Sequence, residues 1–479
     1  MPSCRTSRSR RRITGTLEAD TPTNQHMLNS VNPRVLVISH RAFNNKGASG
    51  NALASYFKHW DPDALAELYF YAELPCGPMS GKCRRYYRIT DFDALRSALG
   101  RRTCGSVLSG ADLAETIEED DSSPSRLQQL VYEFGRKKHP SMMLLRDAIW
   151  RAAHWRISAF NHWAEKFRPE LIFLVGGDYT FAYEIASHVA RRCNIPLVVF
   201  MGDDWYGVSR FSLSPLYWLH KALLRRTMRR VVGSAARLFT ACDQMSEEYQ
   251  RIFNVESTTL PTACGPIAPE PTLGAGTPVE LSYIGKVSLG RWTTLRKIGE
   301  ALAEINAPQQ RARLRIYSTE RLNRRMLKRL SIPGAMEFMG GLSALEVGRV
   351  IERSDILVHV ESMDKVNRKL TRLSLSTKIP EYLASGRCIF AAGPPEVGSI
   401  RYIQDHEAGM VVTDMEALRE HLDTLIANPE LRRRHALNGL RLAHRRHDAK
   451  VVRDLLDAAL GGVVGGTVRT SSDLVAAGQ

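Results

Sequence analysis

Short apolar runs alternate with longer helix-like segments through most of the chain. The runs "PRVLVISH", "PELIFLVGG" and "IPLVVFMG" lie before residue 210, and "LSYIGKV", "DILVHVE" and "RCIFAAG" lie after residue 280. Continuous runs rich in Val and Ile, separated by helices, are typical of parallel strands that are buried on both faces. The alternation therefore predicts an α/β protein built from parallel sheets.

One segment interrupts this alternation near the middle of the chain. Residues 260–280, "LPTACGPIAPEPTLGAGTPVE", are rich in Pro, Gly and Ala and show no periodicity, which indicates a linker. With 479 residues the chain is long enough for two domains. We therefore predict two Rossmann-like, doubly wound domains that face each other across a cleft. The predicted parts are a disordered basic arm (1–32), an N-terminal domain (33–259), the linker (260–280), a C-terminal domain (281–440), and a C-terminal helix with a loose tail (441–479).

Charge and cysteine usage exclude several classes of protein. The net charge is +16, but no zinc-finger, RNP or helix-turn-helix pattern accompanies it, so we expect no nucleic-acid partner. The eight cysteines form no CxxC pair and match no zinc spacing, so we expect reduced thiols in the cytoplasm and no bound metal. No export signal and no apolar run of about 20 residues is present. The basic arm is interpreted as flexible rather than as a transit peptide.

A second basic cluster lies in a predicted helix, "SPLYWLHKALLRRTMRRVV". Trp218 and several leucines are mixed there with Arg225, Arg226, Arg229 and Arg230. This composition fits an interfacial helix on acidic lipid. It equally fits a surface helix whose apolar stripe faces the core. The sequence leaves both interpretations open.

The second block contains a candidate phosphate site. In "YIGKVSLGRWTTL", Gly285 ends a strand, and Lys286 and Arg291 lie in the loop before a helix. A loop at the carboxyl end of a parallel strand, leading into a helix, is a natural place for phosphate. Two cations there would hold a diphosphate and stabilise it as a leaving group.

The stretch "STKIPEYLASGRCIFAAGP" carries a second group of candidates. Glu381 lies one turn into a predicted helix, where its carboxylate could accept hydrogen bonds from a ribose diol. Lys378, at the start of this helix, could reach a phosphate, and Gly386 is expected to end it. The hydroxyls of Ser376 and Thr377 could cap the helix or contact a phosphate, and Gly393 is expected to place its backbone amide close to the cleft.

These residues resemble a motif of GT-B fold glycosyltransferases that use nucleotide sugars, most closely the large retaining group called family 4. The match runs over "EYLASGRCIF" from Glu381 to Gly386, and the spacing of Gly285, Lys286 and Arg291 also fits. The resemblance implies that Glu381 binds ribose and that both cations bind the diphosphate. It also implies an acceptor-binding N-terminal domain whose Gly-rich loop, "NNKGASGNALA", places Gly47 and Gly50 at the cleft.

The chain departs from this family pattern at two places. Leu373 stands where the family has a second Glu, which contacts the donor sugar, so the sugar and the stereochemistry stay open. Asp203 and Asp204 stand where the family often has a His; either could act as general base or orient the acceptor, or could cap a turn. Glu361, at a strand end, is a candidate to replace the missing carboxylate in part.

Together these features predict a glycosyltransferase that moves a sugar from a nucleotide-diphosphate sugar to an acceptor hydroxyl in polysaccharide or glycolipid assembly. The catalytic candidates are Asp203 and Asp204, and His40 is a cleft candidate whose alternative role is structural. We expect no cofactor, a lipid-linked or saccharide acceptor, and a cytoplasmic protein that contacts an anionic membrane surface. The alternatives are a sugar-nucleotide epimerase on the same fold and a non-catalytic subunit that binds nucleotide sugars.

Overall fold

The computed structural model describes residues 32–43, 48–75, 83–100, 103–108, 139–157, 159–208, 211–274 and 276–476. All of them belong to the unit Asn32–Gln479. The predicted basic arm up to residue 31 and Gly47 lie outside the described residues.

The first part of the chain forms a sheet of eight strands within the described residues. In chain order these are β1 (Val35–Ser39), β2 (Leu65–Tyr69), β3 (Tyr86–Arg88), β4 (Ser106–Val107), β5 (Leu171–Val175), β6 (Leu197–Met201), β7 (Arg237–Thr240) and β8 (Ser257–Thr259). Their order across the sheet is β4-β3-β2-β1-β5-β6-β7-β8, and β3 with β4 is the antiparallel pair. The direction of winding reverses between β1 and β5.

The second part forms a fully parallel sheet of six strands within the described residues. These are β9 (Val279–Ile284), β10 (Ala312–Tyr317), β11 (Met336–Gly340), β12 (Ile356–Val360), β13 (Cys388–Ala392) and β14 (Met410–Val412). Their order is β11-β10-β9-β12-β13-β14, so the winding reverses between β9 and β12. Two doubly wound α/β sheets, as the sequence predicted, are confirmed.

The helices lie between and after these strands. In the first part they are α1 (Ala48–Phe57), α2 (Asp91–Ala98), α3 (Pro140–Ala152), α4 (Ala159–Phe167), α5 (Thr180–Cys193), α6 (Pro215–Val232) and α7 (Asp243–Phe253). In the second part they are α8 (Arg291–Ile305), α9 (Arg324–Arg329), α10 (Ala344–Arg353), α11 (Lys365–Thr371), α12 (Ile379–Ala384), α13 (Gly398–Asp405), α14 (Leu418–Ala427), α15 (Pro429–Leu442) and α16 (Ala449–Ala476).

Both faces of the central strands are covered. Leu36 and Ile38 of β1 pack into the core on one face of the first sheet, and Val35 and Val37 pack into the core on the other. All four side chains are fully buried. Because helices cover both faces, every position of such a strand is apolar, which accounts for the unbroken runs in the sequence.

The end of the chain returns to the first sheet. The described residues between 260 and 278 form neither helix nor strand, and the chain then builds the second sheet. After α15 it crosses back, and Val452, Leu456 and Leu460 of α16 pack into the same core as Val35 and Tyr56. The N-terminal core therefore includes residues from the last tenth of the chain.

A buried histidine fixes this crossing. The chain between α15 and α16 forms a π-helical turn, Ala443–His447, and His447 is fully buried. Its Nδ1 lies 2.8 Å from the carbonyl oxygen of Thr262, and its Nε2 lies 2.8 Å from the hydroxyl of Tyr402. Burial lowers the pKa of His447 to about 4, so the ring is neutral at pH 7, donating from Nδ1 and accepting at Nε2. The turn is thus joined to the linker and to α13.

The tail after residue 460, which the sequence predicted to be loose, continues as helix α16 to Ala476. Gly461, Gly462, Gly465 and Gly466 carry an entropic cost in a helix of about 1 kcal/mol each. Contacts of the intervening Val463 and Val464 with the N-terminal core offset part of this cost. Across the described residues, none of the helices is both long enough and apolar enough to cross a membrane.

Candidate active site

The candidate residues of the second sheet gather where its winding reverses. β9 and β12 are parallel neighbours, so the loops after them start at the same edge of the sheet. The loop after β9 contains Gly285 and Lys286 and leads into α8, whose first residue is Arg291. Glu361 directly follows β12. Such a reversal point is where ligands bind in open α/β sheets.

Arg291 and Glu361 form a buried ion pair at this point. Nε and Nη2 of Arg291 lie 3.2 and 2.9 Å from the two carboxylate oxygens of Glu361. The side chain of Glu361 is 2% exposed and that of Arg291 is 18% exposed. On the sequence alone, Glu361 was a candidate to replace the missing donor-sugar carboxylate in part; instead, its oxygens are engaged by Arg291.

Lys286 is exposed, and a carboxylate holds the backbone beside it. Oε2 of Glu320, three residues after β10, accepts hydrogen bonds from the backbone N–H groups of Val287 at 2.6 Å and Ser288 at 3.0 Å. Sequence reasoning missed Glu320. Its signal is a carboxylate just beyond a strand that flanks β9, but nothing in the sequence shows which amides it accepts from.

Helix α12 carries the second group of candidates to the same edge. Lys378 is its N-cap residue and Glu381 lies in its first turn. The hydroxyl of the buried Tyr382 lies 3.4 Å from the carbonyl oxygen of Ile284, the last residue of β9. This contact places the start of α12 beside the loop that begins at Gly285.

The side-chain carboxylate of Glu381 forms no hydrogen bond or ion pair with any residue that the structure describes, although its backbone carbonyl accepts from the N–H of Ser385 within α12. Its side chain is exposed, and desolvation by the surrounding protein raises its pKa, which the charge of Lys378 opposes. The hydroxyl of Ser376 accepts from the backbone N–H of Lys378 at 3.4 Å, just before α12 begins, and Thr377 is exposed. An exposed carboxylate whose oxygens have no protein partner is suited to accept hydrogen bonds from a ligand.

Two glycines have different roles from each other. Gly386 ends α12 with φ +69°, a conformation that favours glycine, as the sequence predicted. The backbone N–H of Gly393 donates to the carbonyl oxygen of Val412 in β14, so this amide is engaged within the protein, and a contact of Gly393 with a ligand stays a prediction. A Cβ on Gly393 would lie 3.0 Å from Cβ of Glu361. A residue larger than Gly393 would therefore press Glu361 out of its present position.

The first sheet contributes His40, which directly follows β1. Its ring lies 4.6 Å from that of Tyr179 and 5.6 Å from that of Tyr71, measured between centroids. Nδ1 of His40 is buried and has no hydrogen-bond partner among the described residues. Burial, with Arg146 adding to it, lowers the pKa of His40 to about 4, so the ring is neutral at pH 7. Gly50 lies in α1, and the structure describes only its backbone.

Asp203 and Asp204 follow β6 but differ in their surroundings. Asp204 is buried, and its Oδ1 accepts hydrogen bonds at 2.7 Å from the Tyr249 hydroxyl and from the backbone N–H of Gly207. These contacts fit the turn-cap role that the sequence left as the alternative to catalysis. Asp203 is exposed. Of the two, Asp203 stays the candidate for contact with an acceptor.

Leu373 is buried inside the core of the first sheet, although it belongs to the second part of the chain. Its side chain is 1% exposed and packs in the cluster that contains Cys242 and Met245. The thiol of Cys242 donates to the carbonyl oxygen of Leu373 at 3.3 Å. Arg372 beside it bonds to Glu248 of α7 at 2.8 Å. The position that carries a donor-sugar Glu in the resembled family is therefore a contact between the two parts.

Comparisons with known proteins agree with this architecture. A family model described as "Glycosyl transferase 4-like domain" matches residues 119–261, and one described as "Glycosyl transferase-like" matches residues 295–457. No curated protein sequence matches the chain.

Solved structures resemble the chain over most of its length. HepE from Anabaena, in complex with UDP and glucose, is 12% identical, with a TM-score of 0.54 over 90% of this chain and 99% of HepE. Sucrose-phosphate synthase from Thermosynechococcus elongatus is 14% identical, with a TM-score of 0.54 over 90% of this chain and 99% of its own. WaaG, a glycosyltransferase involved in lipopolysaccharide biosynthesis, is 14% identical, with a TM-score of 0.51 over 88% of this chain and 99% of its own.

The two doubly wound sheets and the structural neighbours define the GT-B fold. Because both halves of the chain also match glycosyltransferase domains, the resemblance to GT-B glycosyltransferases that the sequence implied is confirmed. These matches support a glycosyltransferase that uses a nucleotide sugar.

Substitution of Leu373 tests its role as a structural contact. We expect Leu373→Ala to lower the free energy of unfolding by about 2–5 kcal/mol, because it leaves a cavity in the core. Leu373→Glu should cost more, because its carboxylate would be buried without a partner. Chemical denaturation measures both. As a control, Val366→Ala, at a position 64% exposed, should change stability by about 0.5 kcal/mol or less. A Leu373→Glu protein as stable as wild type would contradict this assignment.

Proposed function

We propose that the chain transfers a sugar from a nucleotide-diphosphate sugar to an acceptor hydroxyl, in polysaccharide or glycolipid assembly at the cytoplasmic face of a membrane. The observation that carries the proposal is the grouping of Lys286, Arg291, Lys378 and Glu381 next to the end of β9. Three cations there suit the phosphate groups of a nucleoside diphosphate, and the exposed carboxylate suits its ribose.

In this proposal each group has a separate task. The cations bind the diphosphate, and Glu381 accepts hydrogen bonds from the ribose diol. The bond between the sugar's anomeric carbon and the diphosphate oxygen breaks, and its electron pair leaves with the diphosphate, which the cations stabilise. The acceptor oxygen forms the new bond to the anomeric carbon and loses its proton, and Asp203 is the candidate to accept it.

Uridine diphosphate is the first ligand to test. The Anabaena HepE structures contain UDP, UDP with glucose, or UDP-glucose. Those ligands belong to HepE, and they support the choice of probe for a chain with the same fold.

Isothermal titration with UDP and GDP tests the ribose assignment. We expect Glu381→Gln to weaken binding of the preferred diphosphate about 10-fold or more, because hydrogen bonds to a charged acceptor contribute about 1.5–3 kcal/mol each. Glu420→Gln, at an exposed position of α14, is the matched control and should leave the affinity unchanged. Equal affinity of wild type and Glu381→Gln for both diphosphates would show that the ribose contact is wrongly placed.

The pH dependence gives a second readout of the same contact. Because burial raises the pKa of Glu381, it takes up a proton at a higher pH than an ordinary Glu as the solution is acidified. The protonated carboxyl accepts hydrogen bonds less well, so affinity for UDP should fall with pH more steeply in wild type than in Glu381→Gln. The ionisation of UDP changes the affinity of both proteins equally, so the difference between them reports on Glu381.

A cluster of exposed apolar side chains supports a membrane contact. Phe211, Leu213, Leu216, Trp218 and Leu219, at and before the start of α6, are 88, 88, 42, 44 and 50% exposed; we call them the apolar patch. Arg226, two turns from Leu219 along α6, is also exposed. Apolar side chains beside cations fit an anionic bilayer surface, where a lipid-linked acceptor would be found.

The rest of α6 is an ordinary surface helix. Leu224, Met228 and Val231 face the core of the first sheet. Arg225 donates to the Tyr206 carbonyl at 3.0 Å and Arg229 to the Tyr206 hydroxyl at 2.6 Å. Each of the two interpretations drawn from the sequence therefore fits a different part of the helix. The arginines that bond to Tyr206 are poor targets for a test, because their substitution would disturb the fold.

Sedimentation with vesicles tests the membrane contact. We expect wild type to bind vesicles of phosphatidylglycerol and phosphatidylcholine, and Phe211→Ser/Leu213→Ser/Trp218→Ser to lose most of that binding. The control is Leu99→Ser/Leu345→Ser/Val366→Ser, which removes equally exposed apolar residues elsewhere. Equal binding by wild type and the patch variant would remove the apolar patch from the proposal.

A non-catalytic subunit that binds nucleotide sugars is the second candidate. It is favoured by Leu373, which replaces a donor-sugar carboxylate and is buried, and by Asp204, which is engaged in a turn. It predicts binding of UDP or GDP with no release of diphosphate from the corresponding sugar nucleotide on any acceptor supplied. Release of diphosphate that depends on an acceptor would exclude this candidate.

A further inference from the structure

Two carboxylates from neighbouring strands hold the loop that precedes α8. We call residues 285–290 the diphosphate loop. It follows β9, which lies between β10 and β12 in the sheet. Glu320 reaches the loop from the β10 side and accepts from its backbone amides, and Glu361 reaches Arg291 from the β12 side. The loop is therefore held at two points before any ligand is bound.

The pairing of Arg291 leaves part of its guanidinium for a ligand. Glu361 is bonded to the edge formed by Nε and Nη2. A guanidinium has five N–H donors, so those on Nη1 and the second one on Nη2 are left, and none of them bonds to a residue in the described part of the chain. The remaining edge has the geometry to bind two oxygens of a phosphate. The carboxylate thus fixes the plane of Arg291 without occupying the edge that a phosphate needs.

Glu361 is itself fixed on several sides. Its backbone N–H donates to the carbonyl oxygen of Ala392 at 2.9 Å, and its own carbonyl accepts from the Thr294 hydroxyl at 2.8 Å. Gly393 lies against its Cβ, so a larger residue at that position would press on Glu361. The buried ring of His359 lies 3.6 Å from Oε1, and burial lowers the pKa of His359 so that the ring is neutral. Glu361 therefore has little freedom to move.

Glu320 acts on the backbone rather than on a side chain. Burial alone would raise its pKa, but hydrogen bonds from Ser288 and Val287 and the charge of Lys286 lower it, so the carboxylate is ionised at pH 7. An ionised carboxylate on two consecutive amides restrains the loop next to Lys286, whose side chain is exposed. Leu289 in the same loop has φ +57°, which is uncommon for a residue other than glycine and needs support from its surroundings.

The positive and negative charges around the diphosphate loop balance, so net charge alone does not favour binding of a diphosphate. The cations Lys286, Arg291 and Lys378 are accompanied by three carboxylates, of Glu320, Glu361 and Glu381. A buried ion pair adds little net stability, because desolvation offsets the attraction between its charges. What such pairs supply is a fixed geometry, which lowers the entropic cost of binding.

From these contacts we infer that Glu361 and Glu320 are positioning residues for the donor diphosphate, acting through Arg291 and through the amides of the diphosphate loop. The inference rests on the proposed function, because it assumes that this loop binds a diphosphate. The opposite effect, in which the two carboxylates repel the ligand, predicts that their removal tightens binding.

Isothermal titration with UDP and GDP on four proteins tests Glu361: wild type, Glu361→Gln, Arg291→Gln and the double variant. We expect Glu361→Gln to weaken binding of the preferred diphosphate about 10-fold. Because Glu361 acts through Arg291, the double variant should bind no more weakly than Arg291→Gln alone. If Glu361 had only a structural role, the losses of affinity in the two single variants would add in the double variant. The melting temperature of Glu361→Gln would then fall together with its affinity.

A second variant and a matched control complete the experiment. Glu320→Gln should also weaken binding, and it provides the test if Glu361→Gln does not fold. Glu280→Gln removes a carboxylate that bonds to Arg313 at 2.5 Å at the other end of β9, and should leave the affinity unchanged. The inference is overturned if Glu361→Gln and Glu320→Gln bind as tightly as wild type or more tightly, while Arg291→Gln binds weakly. Absence of UDP and GDP binding by wild type would overturn the proposed function and this inference with it.

Discussion

The burial of Leu373 in the core of the first sheet sets the relation between the two halves of the molecule. Full burial of a leucine contributes about 1.5–3 kcal/mol, whereas a partly exposed ion pair such as Arg372 with Glu248 contributes about 1 kcal/mol or less. The apolar contact therefore stabilises this junction more than the ion pair does. The ion pair helps to fix the orientation of the two parts at the junction. Leu373 lies only eight residues before Glu381, so this contact between the halves is close to the candidate ribose group.

The candidate donor site combines this junction with rigid elements. Its residues lie at strand ends, on the first turns of helices, or in a loop that two carboxylates restrain. Sites on such elements hold their geometry better than sites on free loops. The first sheet offers a different environment, where the neutral His40 lies among aromatic rings. The two edges therefore present different groups, paired charges on one side and a neutral imidazole with aromatic rings on the other.

Local signals in the sequence were enough to predict the alternation of strands and helices. Unbroken apolar runs identified the strands, because helices cover both faces of each sheet. Gly386 identified the end of α12, because its backbone conformation favours glycine. The tail after residue 460 was predicted wrongly, since its glycines disfavour a helix and only contacts with a distant core offset that cost. The domain boundaries and the roles of the site residues stay predictions.

Pairings between residues that are distant in the chain could not be predicted from the sequence. Arg291 was identified as a cation for phosphate, but nothing in a local pattern shows that Glu361, 70 positions away, shares its charge. Glu320 reaches the loop across 33 positions and was missed altogether. Leu373 was recognised as a departure from the family pattern, yet its burial against Cys242 depends on how two sheets meet. Such contacts depend on the topology of the whole chain, which cannot be predicted from one short segment.

The return of helix α16 to the first sheet has a consequence for how the protein is made. Val452, Leu456 and Leu460 belong to the N-terminal core, but a ribosome synthesises them nearly two hundred residues after β8. Domains generally fold as units during synthesis, from the N-terminus onward. Here the first domain has an apolar face that stays uncovered until the whole second domain has been translated. A segment synthesised after the second domain therefore completes the core of the first.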